Sequence, residues 1–132
     1  MFLRLFFVYW LPVLLYGGTI VMFSSMSTPQ IYFPGWVQGV NDKILHTLEY
    51  AVLAILCYRA FLYAAGPRLR DLAGMLAMAG AILFGVSDEL HQYFVPLRDA
   101  DPWDLVANAA GSLIGVTCWQ KISQSLRVIQ TS

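Results

Sequence analysis

His46 and Glu49 stand three residues apart, and so do Asp88 and His91. A histidine and a carboxylate at that spacing share a helix face, and helical bundles gather divalent metals from paired Glu-x-x-His segments of this kind. Two nitrogens and two oxygens from His46, Glu49, Asp88 and His91 suit zinc or a similar divalent ion. An ion held there would activate water against a phosphoester or an amide, with Glu89 or Asp104 as base and Arg98 on the substrate anion. Without a metal, the same histidines and carboxylates retain acid–base capacity.

Further polar residues cluster with these pairs. At about 100° per residue, Asp42, His46 and Glu49 fall on one face with Tyr50 beside them, and Asp88, His91 and Gln92 fall on another with Glu89 to the side. Asp104, Asn108, Gly111 and Gly115 form a third stripe. Three readings of this set compete. In a purely structural one, Lys43 and Arg98 neutralise nearby acids and the histidines bond to carboxylates across helices. In a binding one, Lys43, Arg98 and two helix amino ends hold a headgroup or a lipid-linked phosphate, with Tyr50, Gln92 and Asn108 adding hydrogen bonds. The metal reading supplies the positive charge that the surplus of acids requires. Asp42, Asp99 and Asp101 read as caps and loop charges.

The elements that carry these residues are apolar. The chain is 58% hydrophobic and 12% charged over 132 residues, with a mean hydropathy of +0.62, which describes an integral membrane protein. Four stretches approach the roughly 20 residues that a spanning helix needs, near 3–22, 43–63, 72–94 and 102–122. The expected architecture is all-α, a single four-helix membrane bundle over 1–132 in the cytoplasmic membrane, without a soluble domain. The first apolar run exceeds the roughly 7–15 residues of a signal-peptide core, so it reads as a span, kinked at Pro12. An ionisable group inside a span costs about 2.5–3.5 kcal/mol on insertion scales and usually lines a cavity, which makes the polar set the functional lead.

Basic residues orient the bundle. Arg4, Arg59, Arg68, Arg70, Lys121 and Arg127 lie with the termini and the second loop, and only Lys43 and Arg98 lie on the other side, which places both termini in the cytoplasm. Asp42, Glu49, Asp88, Glu89, Asp99, Asp101 and Asp104 fall outside and Asp71 inside, so zero net charge hides a formal −5 outside and +5 inside. No basic face is left for nucleic acid. Asn41 or Asp42 caps the second helix, Gly66-Pro67 ends it, and Asp101-Pro102 is a cap with proline at the first helical position. Gly111 with Gly115, and Gly74 with Gly80, let helix backbones approach. Cys57 and Cys118 read as small apolar fillers, and Ser87 as a residue that hydrogen-bonds its own backbone.

The ordered motifs Asp42-Lys43-x-x-His46-x-x-Glu49-Tyr50, Ser87-Asp88-Glu89-x-His91-Gln92, Val95-Pro96-x-Arg98-Asp99 and Asp104-x-x-x-Asn108-x-x-Gly111 resemble the VanZ-like family. The resemblance runs from Ser24-Ser25 to Gly115. Leu97 departs from it, standing where the family often has glycine in the turn that presents Arg98. The family takes its name from a membrane protein associated with lowered susceptibility to teicoplanin, a lipidated drug acting at the outer face of the envelope. The resemblance implies work at the outer leaflet on membrane lipids or a lipid-linked envelope precursor, with an effect on glycopeptide susceptibility as a further expectation.

Overall fold

A computed structural model describes residues 2–98 and 100–131; Asp99, one of the expected loop charges, lies outside the described residues. No strand occurs among them. Four long helices carry the fold: α1, Phe2–Ser24; α2, Asp42–Ala64; α3, Ala73–Gln92; and α4, Pro102–Thr131. Three of them, α1, α2 and α3, are long and apolar enough to cross a membrane. The longer α4 falls short of that apolarity because Asp104, Asn108 and Ser112 occupy its inner stripe and Gln120 and Lys121 follow its apolar stretch.

Local chemistry sets the boundaries. The Asn41 side chain accepts from the Lys43 N–H at 2.9 Å, so Asn41 is the cap of α2 and the Asp42 carboxylate is released from that duty. Gly66 takes φ +87°, a left-handed turn, before a short helix at Pro67–Arg70. Asp101 Oδ1 accepts from the Trp103 N–H at 2.9 Å at the start of α4. Pro12 acts through a π-helical segment at Phe6–Trp10 inside α1: it has no N–H to donate and its ring crowds the carbonyl one turn back, and the widened turn absorbs both. The connection after α1 contains two short helical turns, Pro29–Tyr32 and Gly35–Gln38.

Helix α2 is central, packing most extensively on α4 and then on α3, with α1 alongside α2 and only lightly against α3. Glycine makes the α2–α4 approach possible. A Cβ on Gly111 would fall on the Thr47 carbonyl, and one on Gly115 on the Ala51 carbonyl, both closer than atoms can sit. In α3 the stripe Ala73, Ala77, Ala81 and Gly85 recurs every fourth residue and is buried. A Cβ on Gly85 would lie 3.0 Å from the Tyr50 ring and 3.1 Å from Asn108 Nδ2, so Gly85 is the glycine that lets α3 meet α2 and α4 near the polar end. Gly80, expected in such a role, has nothing within 4 Å of its Cβ position. At the opposite end the Arg59 guanidinium lies 5.8 Å from the Tyr9 ring centre and 5.5 Å from that of Trp119, a cation–π clamp that holds its charge against aromatic faces.

Candidate functional site

The first half of the site is a cleft of about 310 Å³ between α1, α2 and α3, roofed by the connection after α1. Ile20, Phe23, Phe33, Val37, Leu45 and Val52 supply an apolar wall, and Asp42, His46, Glu49, Asp88, Gln92 and Arg98 a polar one. The polar wall is chained together: Arg98 donates to Gln92 Oε1 at 2.8 Å, and Gln92 Nε2 donates to Asp88 Oδ2 at 3.0 Å. Tyr16 donates to the Glu49 backbone carbonyl at 3.2 Å, tying α1 to α2 at the cleft floor. Behind the cleft wall the buried Tyr50 hydroxyl lies beside the Asp88 carboxylate.

The second half is the seam between α2 and α4. Lys43 Nζ donates to Asp101 Oδ2 at 2.6 Å and also to Asp104 Oδ1. That lysine and the Trp103 N–H hold the Asp101 carboxyl below the usual carboxylate range. Glu89 Oε1 accepts from the Asp101 N–H at 2.6 Å, so the acid beside Asp88 fastens the start of α4 rather than facing the cleft. His46 Nδ1 meets Asn108 Oδ1 at 3.1 Å. A carbonyl oxygen can only accept, so Nδ1 carries the proton and Nε2 turns toward Asp42 and Asp104. Ser112 donates to the Asn108 carbonyl at 2.8 Å, continuing the buried polar stripe down α4.

A family model described as VanZ/LLP1 matches residues 2–124. The chain belongs to the VanZ/LLP1 family. No curated protein and no solved structure matches it.

In this VanZ/LLP1 protein most of the polar residues expected to converge do so, with one clear correction. His46, Glu49, Asp88, Gln92 and Arg98 share the cleft, and Lys43, Asp104 and Asn108 share the seam with His46. Tyr50 is fully buried between the two. His91 does not join them: it is exposed, and its Nε2 lies 3.0 Å from Ser25 Oγ at the end of α1. The buried face of α3 is centred on Gly85, Asp88, Glu89 and Gln92, and His91 lies about 110° from that centre at 3.6 residues per turn. The four-residue metal set of His46, Glu49, Asp88 and His91 is therefore not assembled. Asp42, read from the sequence as a cap, instead comes near His46 with Asp104, because Asn41 does the capping. The signal for that was present in the i,i+4 spacing of Asp42 and His46. Ser87 donates to the Phe84 carbonyl at 2.8 Å, as its neighbours suggest, and Cys57 is buried while Cys118 is exposed.

Proposed function

We propose that this VanZ/LLP1 membrane protein crosses the cytoplasmic membrane with all four long helices, both termini inside, and binds an envelope lipid or lipid-linked headgroup in the cleft on the extracytoplasmic side. The supporting observation is the split character of the cleft, apolar along Ile20, Phe23, Leu45 and Val52 and polar along Glu49, Asp88 and Arg98. That is the complement of an amphiphile. A volume of about 310 Å³ accommodates a headgroup and its first methylenes rather than a whole lipid, at the small end of ligand pockets of roughly 300–1,000 Å³. Arg98 suits a phosphate, while Glu49 and Asp88 suit the amine or hydroxyl donors of the same headgroup. The fourth span is supported by α4's outer face, where Trp103, Val106, Leu113 and Ile114 are exposed while its polar stripe turns to α2. The orientation is supported by the sequence distribution of basic residues, six toward the termini and second loop against Lys43 and Arg98 on the other side.

Lipids retained by the protein in mild detergent, identified by mass spectrometry, test this reading. One lipid class enriched over the bulk membrane, and lost from Val52→Trp, which fills the cleft from its half-open side, is the expected result. Identical lipid profiles for the wild type, Val52→Trp and the double variant Glu49→Gln, Asp88→Asn would overturn it. Orientation is checked with single cysteines at Gln38 and Arg68 in a cysteine-free background, where a membrane-impermeant maleimide applied to intact cells labels the first and spares the second.

A further inference from the structure

We propose that His46, Asp42 and Asp104 form a divalent-metal site in the wall between the cleft and the α2–α4 seam. The site goes beyond lipid binding and does not depend on it. Each residue offers one ligand atom, and the three atoms lie within 4.8 Å of one another. His46 Nε2 stands 3.8 Å from Asp42 Oδ2 and 3.7 Å from Asp104 Oδ2. Around a tetrahedral zinc with bonds of about 2.0 Å, neighbouring ligand atoms stand about 3.3 Å apart. The two contacts to His46 exceed that spacing by about 0.4–0.5 Å, and the Asp42 carboxylate, whose side chain is 62% exposed, has the freedom to swing toward both buried partners, with a small rotation of Asp104 Oδ2 toward His46 completing the approach.

Three features separate this cluster from an ordinary group of acids. The His46 side chain is 9% exposed, and its Nε2 has no hydrogen-bond partner among the described residues while pointing at two carboxylates. Its other nitrogen is fixed by Asn108 Oδ1 at 3.1 Å, the outer-shell contact that metal-bound histidines use to set tautomer and ring plane. Asp104 divides its oxygens, giving Oδ1 to Lys43 and leaving Oδ2 toward His46. The local charge points the same way, since Lys43 is shared by two carboxylates, Asp101 and Asp104, and Glu89 adds a third acid through the Asp101 N–H. An imidazole nitrogen among the ligands selects a borderline ion such as Zn²⁺ over Mg²⁺.

Three protein ligands leave a fourth position open. Asp42 and His46 line the cleft and Asp104 stands behind them, so the open position faces the cleft and would take an oxygen of whatever occupies it.

Equilibrium dialysis of the full chain in detergent micelles, washed with chelator and titrated with Zn²⁺ or Mg²⁺, tests the site. The background carries Cys118→Ala and His91→Ala to remove exposed competing ligands. Expected are one Zn²⁺ per chain, at least tenfold weaker Mg²⁺ binding, at least tenfold weaker Zn²⁺ binding in Asp42→Asn, and a loss of about 10–100-fold in Asn108→Ala. Asp42 is exposed at the helix start, so its variant is expected to fold, and a circular-dichroism melt confirms that it has. No Zn²⁺ bound by the wild type, as a protonated His46 bridging the two carboxylates would give, overturns the site. So does an unchanged affinity in folded Asp42→Asn. Either failure with the lipid profile intact removes the metal and leaves the lipid reading standing, whereas normal Zn²⁺ binding with no selective lipid does the reverse.

Discussion

Helix α2 meets its neighbours in two unlike ways. Against α4 its backbone is in direct contact at Thr47 and Ala51, where Gly111 and Gly115 leave no room for a Cβ, and the charges of that seam are paired through Lys43. Against α1 and α3 it opens a cleft of about 310 Å³ walled on its polar side by Glu49, Asp88, Gln92 and Arg98. The cause is the difference between the two packing helices. Within its most apolar window α1 is 11% buried, against 39% for α2 and 33% for α3, so α1 covers the polar end without filling it. In lipid, where apolar side chains gain little by leaving the solvent, close backbone packing holds helices together. The seam thus carries the close packing, while the cleft is left open.

Gly111→Val is expected to do the greatest damage, because the added Cβ meets the Thr47 backbone rather than a side chain that could turn away. A loss of about 3 kcal/mol or more is expected in thermal or denaturant unfolding in detergent, above the usual overpacking range because backbone must move. Gly80→Ala, with nothing within 4 Å of its Cβ position, serves as the control. It should be neutral or stabilising by up to about 1 kcal/mol. A Gly111→Val protein that melts like the wild type would break the contrast between seam and cleft.

Charge removal sharpens the contrast at smaller cost. Lys43→Met leaves Asp104, which is 2% exposed, as a buried carboxylate without its cation. Breaking a fully buried pair costs about 3–5 kcal/mol, and the partial exposure of Lys43 brings the expectation down to about 2 kcal/mol. Adding Asp104→Leu should restore most of it. Asp88→Asn, in the cleft and still able to meet Gln92, should stay within about 1 kcal/mol of the wild type. Equal losses from the Lys43 and Asp88 variants would mean that the two regions do not divide the labour.

Much of this arrangement was legible in the sequence, and the exceptions share a cause. Periodicity placed His46, Glu49 and Asp88 on facing stripes, turned Asp104 and Asn108 inward, and marked Gly111 and Gly115 as a packing surface. It could not place His91, since an i,i+3 spacing puts two residues on one side of a helix but leaves open which of them sits at the edge of the buried face. On α3 that face is fixed by Gly85, which must admit the Tyr50 ring and Asn108, and His91 is rotated out as a consequence. Asp42 was hidden because Asn41 and Asp42 are both good caps, and only the folded backbone decides between them. The seam's dependence on Asp101 was hidden likewise, because a residue that caps α4 through one oxygen can still hold Lys43 with the other.

The double role of Asp101 gives the seam a pH signature that the cleft variants should not share. Its carboxyl is held below the ordinary range by Lys43 and by the Trp103 N–H, so the folded state binds this proton less readily than the unfolded chain. The stabilisation is therefore fully present above the unfolded value of about 3.9 and is lost as pH falls through the lower folded value. Unfolding measured between about pH 5 and pH 2 should show a shallower acid decline for Asp101→Asn than for the wild type, while Glu49→Gln keeps the Asp101 contribution. Parallel acid limbs for the wild type and Asp101→Asn would remove Asp101 from the seam's energetics.

The smallest effect is expected where the connection from α3 to α4 delivers Arg98 to the cleft. Leu97 has φ +63° and is 88% exposed, so its side chain contributes no packing to offset a left-handed backbone that costs an ordinary residue roughly 1–2 kcal/mol. Leu97→Gly relieves that cost but also gives the unfolded chain more freedom, which takes back part of the gain. The net expectation is a stabilisation of a few tenths to about 1 kcal/mol, with the Arg98 contact to Gln92 kept. Lipid retention should be unchanged if the left-handed turn is what positions the guanidinium. A destabilised Leu97→Gly that also loses selective lipid would show instead that the leucine side chain, and not the turn, holds the connection in place, and that the cleft depends on packing that the seam was thought to supply alone.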